Sequence, residues 1–366
     1  MDINPYLKLM VERNASDLFF TAGAPIHIKI EGVTTPVGKN SLKPGIIREL
    51  LPDLLNKYQL EAFQQDNELD TAFAVKELGR FRLNLFRQRG EEAMVIRQIK
   101  WQIATLDQLE LPAFLKELIL EPRGLLIIAG ATGSGKSTTV AAMLDHRNSN
   151  KTGHILTIED PIEFVHKHKK SMVNQREIGL DTQSFSEALR RALREAPDVI
   201  MIGEIRDADT MRQAISFADT GHLCIATLHA TNATQALERI ISFFPENTHT
   251  QLLMELSLNL RAVIAQRLLI GNNGKRIPAT EIMLNEPQVK ALIRDGSIQK
   301  LKDVLEKVHE ASEMHSFDND IIRLFKQKRI SFEQAIAHAD EPDHIKLKIK
   351  LGGHGISSAP EDIFAI

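Results

Sequence analysis

The nine residues Gly130, Ala131, Thr132, Gly133, Ser134, Gly135, Lys136, Ser137 and Thr138 fit the pattern G-x-x-x-x-G-K-[ST]. An apolar run, "LLIIA", precedes them and a helix-compatible stretch follows, the context in which this pattern cradles the phosphates of a nucleotide. Gly130, Gly133 and Gly135 let backbone amides turn toward phosphate oxygens. Lys136 reaches the β and γ oxygens, Ser137 offers a ligand to Mg2+, and the following helix N-terminus adds positive potential.

Splitting a phosphoanhydride also needs an acid that orients the metal and one that prepares water. Glu204 ends the apolar run "VIMIG" and suits the first role, directly or through a metal-bound water. Strand ends in such sheets face the nucleotide crevice. "ILTIEDPIEF" supplies Glu159, Asp160 and Glu163, three acids within five residues of a strand exit. The reading places this exit at a sheet edge beside the phosphate-loop strand, with Glu163 polarising the attacking water and Glu159 and Asp160 helping to hold metal or neighbouring backbone. On these residues alone, a solvated acidic turn would look the same. His222 and His229 flank the strand "LCIAT", seven residues apart. That spacing is too long for one small ion, leaving a structural role, a γ-phosphate sensor or a hydrogen bond across a subunit interface.

The elements that must position these groups follow from periodicity. From Gly124 onward, apolar runs of four or five residues alternate with helical stretches, which predicts a mainly parallel sheet covered on both faces. Asp207 is expected to cap "ADTMRQAISFAD", which Gly221 ends; Ser184 with Glu187 reads as a capping box. The Asn-Gly pair at 273 and 274 predicts a hairpin, and short amphipathic helices follow from Glu286, with Asp318 and Ser331 as caps. Upstream, a short helix over 3–13, short strands near 17–20 and 26–30, a helical stretch over 44–63 and three antiparallel strands within 68–99 predict an α+β domain. In "GRFRLNLF", Phe81, Leu83 and Leu85 alternate with Arg80, Arg82 and Asn84, so the arginines share a face. The expected division is 1–99 for the N-terminal domain, 100–112 for a linker containing Trp101, 113–351 for the nucleotide domain with its C-terminal helices, and 352–366 for a mobile tail.

Composition narrows the classes. The 366 residues suggest about two domains, and 43% hydrophobic with 25% charged residues is that of a globular chain. A net charge of −3 gives no basic signature for nucleic acid. Cys224, the single cysteine, excludes a disulfide framework and a paired-cysteine zinc site, and its apolar surroundings read as core. The N-terminus lacks a signal-peptide pattern and no stretch reaches ~18 apolar residues, so membrane association is expected only through partners.

Taken together and in order, "GATGSGKST", "ILTIEDPIEF", "PDVIMIGEIRD" and "TGHLCIATLHAT" resemble the Walker A, Asp box, atypical Walker B and His box of the hexameric ATPases of secretion systems and type IV pili. The resemblance covers nearly the whole chain. It implies a PAS-like N-terminal domain, a RecA-like nucleotide domain, ATP and Mg2+ as ligands, Glu163 as the catalytic glutamate, and Arg82 and Arg97 as arginines that act on a neighbouring subunit's nucleotide.

Within that family the compact layout, with no extra N-terminal domain and no four-cysteine module, resembles the retraction ATPases of the PilT/PilU branch. "LSLNLRAVIAQRL" and the ending "SFDNDIIRLFKQKRISFEQAIAHADEPDHIKLKIKL" resemble the PilU side. The PilT-type signature Ala-Ile-Arg-Asn-Leu-Ile-Arg-Glu has only "QVKALIRD", residues 288–295, as its counterpart, and Phe19 stands where PilT-like chains often carry His. The resemblance implies a cytoplasmic homohexamer, peripheral at the inner-membrane base of the pilus. It would work with a PilT-type ATPase and the platform protein, without nucleic acid, to promote retraction and twitching motility. The alternatives are a PilT-type autonomous motor, a RecA-like nucleic-acid motor, and a nucleotide-binding structural subunit that does not hydrolyse.

Overall fold

The computed structural model describes residues 1–30, 32–99, 102–308 and 312–351. Trp101 and the tail 352–366 lie outside the described residues. Two compact units emerge: one comprises 1–103, 161–167 and 175–184, the other 104–160, 168–174 and 185–366.

The first unit is built on six antiparallel strands: β1 Asp17–Thr21, β2 His27–Ile30, β3 Val33–Pro36, β4 Glu68–Val75, β5 Gly79–Gln88 and β6 Glu91–Ile99, ordered β3-β2-β1-β6-β5-β4. Alternation fixes its faces. Phe81, Leu83 and Leu85 of β5 and Met94 and Ile96 of β6 are fully buried, packing with Leu7 and Met10 of helix Asn4–Glu12, with Leu50 of Ile46–Leu54 and with Phe63 of Lys57–Asp66. The stretch over 44–63 is thus two helices, because Asn56 leaves the helical conformation and caps the second through a reciprocal box with Gln59.

Residues 161–167 and 175–184 join this unit through a buried polar contact that the sequence reading does not anticipate. Glu177 accepts from Arg80 Nη2 at 3.1 Å and from the Ile162 amide at 3.3 Å. Burial raises the Glu177 pKa, and the Arg80 charge opposes that rise.

The second sheet has seven strands, β7 Gly124–Ala129, β8 Gly153–Glu159, β9 Ser171–Glu177, β10 Val199–Ile202, β11 Leu223–Leu228, β12 Leu260–Ile270 and β13 Arg276–Leu284, ordered β13-β12-β7-β11-β10-β8-β9, all within the second unit except the last three residues of β9. The neighbours from β12 through β8 run parallel, and β12 with β13 forms the predicted hairpin, closed by the five residues 271–275. Every residue of β7, β10 and β11 is buried, as a parallel sheet covered on both faces requires. Cys224 is core, and burial pushes its thiol pKa far up.

Two expectations change. β8 is not beside β7: β10 and β11 lie between them, so the acids after β8 are the farthest from the phosphate loop of the three strand exits. Capping of helix Phe317–Lys326 falls to Ser316, whose hydroxyl accepts from the Asn319 amide; Asp318 is instead buried and accepts from the amides of Asp340 and Glu341. Asp207 and Ser331 cap as expected, and Gly221 adopts φ +94° just after helix Ala208–Asp219. Within the 100–112 stretch expected to link the domains, Leu106 and Leu111 pack into the core with Leu126 and Ile128. Among the described residues no helix is long and apolar enough to cross a membrane.

Candidate functional site

β7 delivers the chain to Gly130 at the C-terminal edge of the sheet, and helix Lys136–Asn150 carries it away. The turn between them is tight at Gly130 and Gly135. A Cβ on Gly130 would lie 2.2 Å from Ser134 Oγ and 2.8 Å from the Gln266 carbonyl oxygen; one on Gly135, at φ +91°, would lie 2.7 Å from Gln266 Nε2. Ala131, Thr132 and Gly133 form the exposed crest, while Ser137 and Thr138 are half-buried in the first helical turn. Lys136 is buried, with Nζ donating to the carbonyls of Gly130 at 2.7 Å and Ala131 at 3.0 Å.

Ser134 Oγ is buried with no hydrogen-bond partner among the described residues. A buried polar atom left without a partner is costly, which marks the loop as built for a polar ligand. Beside it opens a cavity of about 380 Å³ lined by Thr138, Thr139, Leu268, Arg276, Arg329 and the turn Gln108–Leu111. Its size falls in the range of small-molecule sites. The loop therefore suits a phosphate-bearing ligand, with space open beside it.

The exits of β10 and β11 converge on Glu204. The Gly203 amide bonds to the Ile158 carbonyl, the Ile205 amide bonds to the Thr227 carbonyl, and the Thr227 hydroxyl donates to the Gly203 carbonyl, so the turn carrying Glu204 is stitched to the strand on either side. Its carboxylate faces His229 Nε2 at 2.9 Å and Arg206 Nη2 at 2.6 Å. Burial lowers the His229 pKa and the Lys136 charge lowers it further, against the pull of Glu204. At neutral pH the ring is therefore uncharged and donates from Nε2. The hydrogen bond to Glu204 raises the Arg206 pKa, and Arg206 also lies 3.6 Å from Asp160.

The structure thus brings together Glu204, His229, Arg206 and Asp160, close enough to Lys136 for its charge to act on His229. Glu159 is buried and accepts from the Thr157 hydroxyl at 2.6 Å. His222 stands at the other end of β11, about 20 Å from His229 by strand rise, with Nδ1 at 3.1 Å from the Thr220 hydroxyl. Glu163 is exposed on the segment 161–167 of the first unit. In that unit Arg82 and Arg97 stand directly opposite each other on β5 and β6. Arg82 lies 3.4 Å from Asp70, and Arg97 lies 2.8 Å from Asp17.

Among the described residues no three His, Cys, Asp or Glu side chains are placed to hold a metal ion. Magnesium binds through one or two protein oxygens plus phosphates and keeps several waters. The Ser137 hydroxyl and Glu204 are the donors of the right type.

Sequence reasoning gave no role to Arg206 or Gln266. Arg206 shows no local pattern beyond its closeness to Glu204. Gln266 did carry a signal: it interrupts the apolar run "AVIAQRLLI", and a polar residue in a buried strand needs partners.

The description "Type II/IV secretion system protein" matches residues 1–357. The type IV pilus ATPase PilU of Pseudomonas aeruginosa is 49% identical over 353 residues, covering 96% of this chain and 92% of that protein. The type IV pilus retraction ATPase PilT of the same organism is 40% identical, covering 94% of this chain and 100% of that protein. A crystal structure of the pilus retraction motor PilT with bound ADP superposes with a TM-score of 0.89 at 38% identity, covering 95% of this chain and 99% of the other. The chain therefore belongs to the type II/IV secretion system protein family, and within it resembles the PilU and PilT ATPases along nearly its whole length.

Proposed function

We propose that this protein is an ATP-hydrolysing motor subunit that promotes type IV pilus retraction, and hence twitching motility, as a PilU-type accessory to a PilT-type ATPase. The observation that carries the ATPase reading is the phosphate loop, with Gly130 and Gly135 closely approached by Ser134 and Gln266, Lys136 buried within it and a buried Ser134 hydroxyl without a partner among the described residues. The assignment to the pilus rests on similarity to PilU and PilT over 96% and 94% of the chain.

In this reading Lys136 exchanges its loop carbonyls for the β and γ phosphate oxygens when ATP binds. Magnesium, held by Ser137 and by Glu204 directly or through water, with Glu159 and Asp160 in support, would neutralise developing charge on the phosphates. Glu163 polarises the attacking water. His229, neutral and hydrogen-bonded to Glu204, senses the γ-phosphate, and His222 serves the subunit interface. Arg82 and Arg97 approach the nucleotide of the adjoining subunit in a homohexamer, coupling hydrolysis to domain motion. The motor acts on the cytoplasmic side of the inner membrane through the pilus platform protein, without nucleic acid.

The test is steady-state ATP hydrolysis by the assembled protein and its Glu163→Gln variant, with and without a PilT-type partner. Loss of about 100-fold or more in the variant is expected for removal of a general base. Full activity in the variant moves the role to Glu159, Asp160 or Glu204. A wild type inactive in both settings replaces the motor by a non-hydrolysing nucleotide-binding subunit.

A further inference from the structure

Gln266 sits on β12 just past Ala265, which pairs with Ala129, the last residue of β7 before the phosphate loop. Its amide is used at both ends. Oε1 accepts from the Thr139 hydroxyl at 2.6 Å, and Nε2 donates to the Ser134 carbonyl at 2.9 Å, both among buried atoms. These partners fix which end of the amide is oxygen, because a hydroxyl that donates and a carbonyl that only accepts cannot be exchanged.

The strand itself is rigid from its other face. Arg267, the next residue, pairs with Asp340 at 2.6 Å, donates to the His338 carbonyl at 2.9 Å and lies 4.0 Å from the Phe317 ring centroid. The amide therefore approaches the loop from a fixed platform. It comes so near that Gly135 has no room for a Cβ.

From this geometry we infer that Gln266 is a positioning residue for ATP hydrolysis, one that sets the orientation of the phosphate-binding backbone. The inference rests on the ATPase reading above. In a trans peptide the C=O and the following N–H point in opposite directions. Holding the Ser134 carbonyl toward β12 turns the Gly135 N–H away from it, so this donor stands oriented before the anion arrives. A loop released from Gln266 would let that peptide rotate and present its carbonyl oxygen, which repels phosphate. The Thr139 hydroxyl keeps the amide in its working orientation and ties the first turn of the helix to the same platform.

The test is equilibrium binding of Mg-ATP, ADP and adenosine to the full chain, comparing wild type, Gln266→Glu and Thr139→Val. Gln266→Glu keeps the shape and the acceptor for Thr139 but, ionised, replaces the donor to Ser134 by an oxygen and adds a charge that itself repels phosphate, so the uncharged Thr139→Val must move in the same direction for the inference to stand. Its affinity for ATP and ADP is expected to fall about 10- to 100-fold, the span of an unsatisfied buried hydrogen bond. Adenosine affinity stays within about twofold. Thr139→Val loses about 3- to 10-fold for the same phosphates, since the donor remains but its orientation is freed. A residue that served stability alone would lower the unfolding midpoint and leave the ratio of ATP to adenosine affinity unchanged, and that result overturns the inference. Should Gln266→Glu fail to fold, Thr139→Val with an unchanged ratio overturns it equally. A wild type that binds neither ATP nor ADP overturns the ATPase reading and this inference together, whereas tight wild-type binding with unaffected variants removes the inference alone.

Discussion

Two regions of this chain present cations, and they hold them by opposite means. Lys136 is 9% exposed and is gripped by main-chain carbonyls of a loop that is itself pinned by Gln266. The Arg97 side chain is 64% exposed and Arg82 is 34% exposed, and each is held on the antiparallel sheet by a carboxylate. The first arrangement is rigid because its contacts are buried and involve backbone. The second is looser at Arg82, whose ion pair lies near solvent on both sides, contributes only about 0–1 kcal/mol and can be traded for another anion at similar cost. The buried cradle and the row of arginines thus stand on different sheets.

The sharpest way to break this contrast lies in the loop. Gly130→Ala forces a Cβ to within 2.2 Å of Ser134 Oγ and 2.8 Å of a backbone oxygen, so the cradle must deform. ATP affinity is expected to fall about 100-fold or more, a loss near 3 kcal/mol. Gly133→Ala meets nothing within 4 Å and suffers only from φ +79°, about 1–2 kcal/mol of backbone strain. Binding measurements that found the two variants equal would show that backbone strain, and not close packing, governs the loop.

The loop was legible in the sequence because all its parts are neighbours in the chain and its pattern follows from local geometry. Strand alternation also announced the buried face of β5 and the row of arginines opposite it. What could not be read are pairings between distant segments. The placement of β8 with two strands between it and β7 depends on which apolar strands dock in the centre, and their sequences are interchangeable in hydropathy. Glu177 meeting Arg80, 97 residues apart, assigns a stretch of chain to the N-terminal unit with no local mark. Asp318 looked like a cap and became a buried acceptor, because Ser316 already filled that role two residues earlier. Gln266 is the case where a local oddity, one amide in an apolar run, pointed to a contact but not to its partner.

A second contrast separates two buried carboxylates. Glu177 has Arg80, whereas Glu281 on β13 accepts, among the described residues, from the amides of Ala233 and Phe317 at the starts of two helices, with Arg267 acting weakly. Burial pushes the Glu281 pKa up to about 7. A folded value above the unfolded one means that the contribution to stability is full below pH 4.5 and is lost as pH rises toward 7, amounting to about 3 kcal/mol. In chemical denaturation, the stability of wild type relative to Glu281→Gln is expected to fall by that amount between pH 4.5 and 7 and to stay level above. A flat difference across this range would mean that the helix amides hold Glu281 ionised.

The smallest effects belong to the arginine face, and there the two members differ. Removing Arg82 leaves Asp70, which is 55% exposed and readily hydrated, so Arg82→Ala is expected to change stability by no more than about 0.5 kcal/mol. Removing Arg97 leaves the Asp17 carboxylate, 6% exposed and supported by the Ser16 hydroxyl at 2.8 Å, without its cation. A buried charge deprived of its partner costs more, about 1–3 kcal/mol. Unfolding by denaturant checks the order, and ATP hydrolysis by the assembled variants supplies the second axis. If the two arginines act on a neighbour's nucleotide, Arg82→Ala lowers hydrolysis at least about tenfold with almost no loss of fold, more than its exposed ion pair could explain. If hydrolysis follows stability instead, with Arg97→Ala impaired and Arg82→Ala normal, the arginine face is a structural element and the contrast with the phosphate loop is one of rigidity alone.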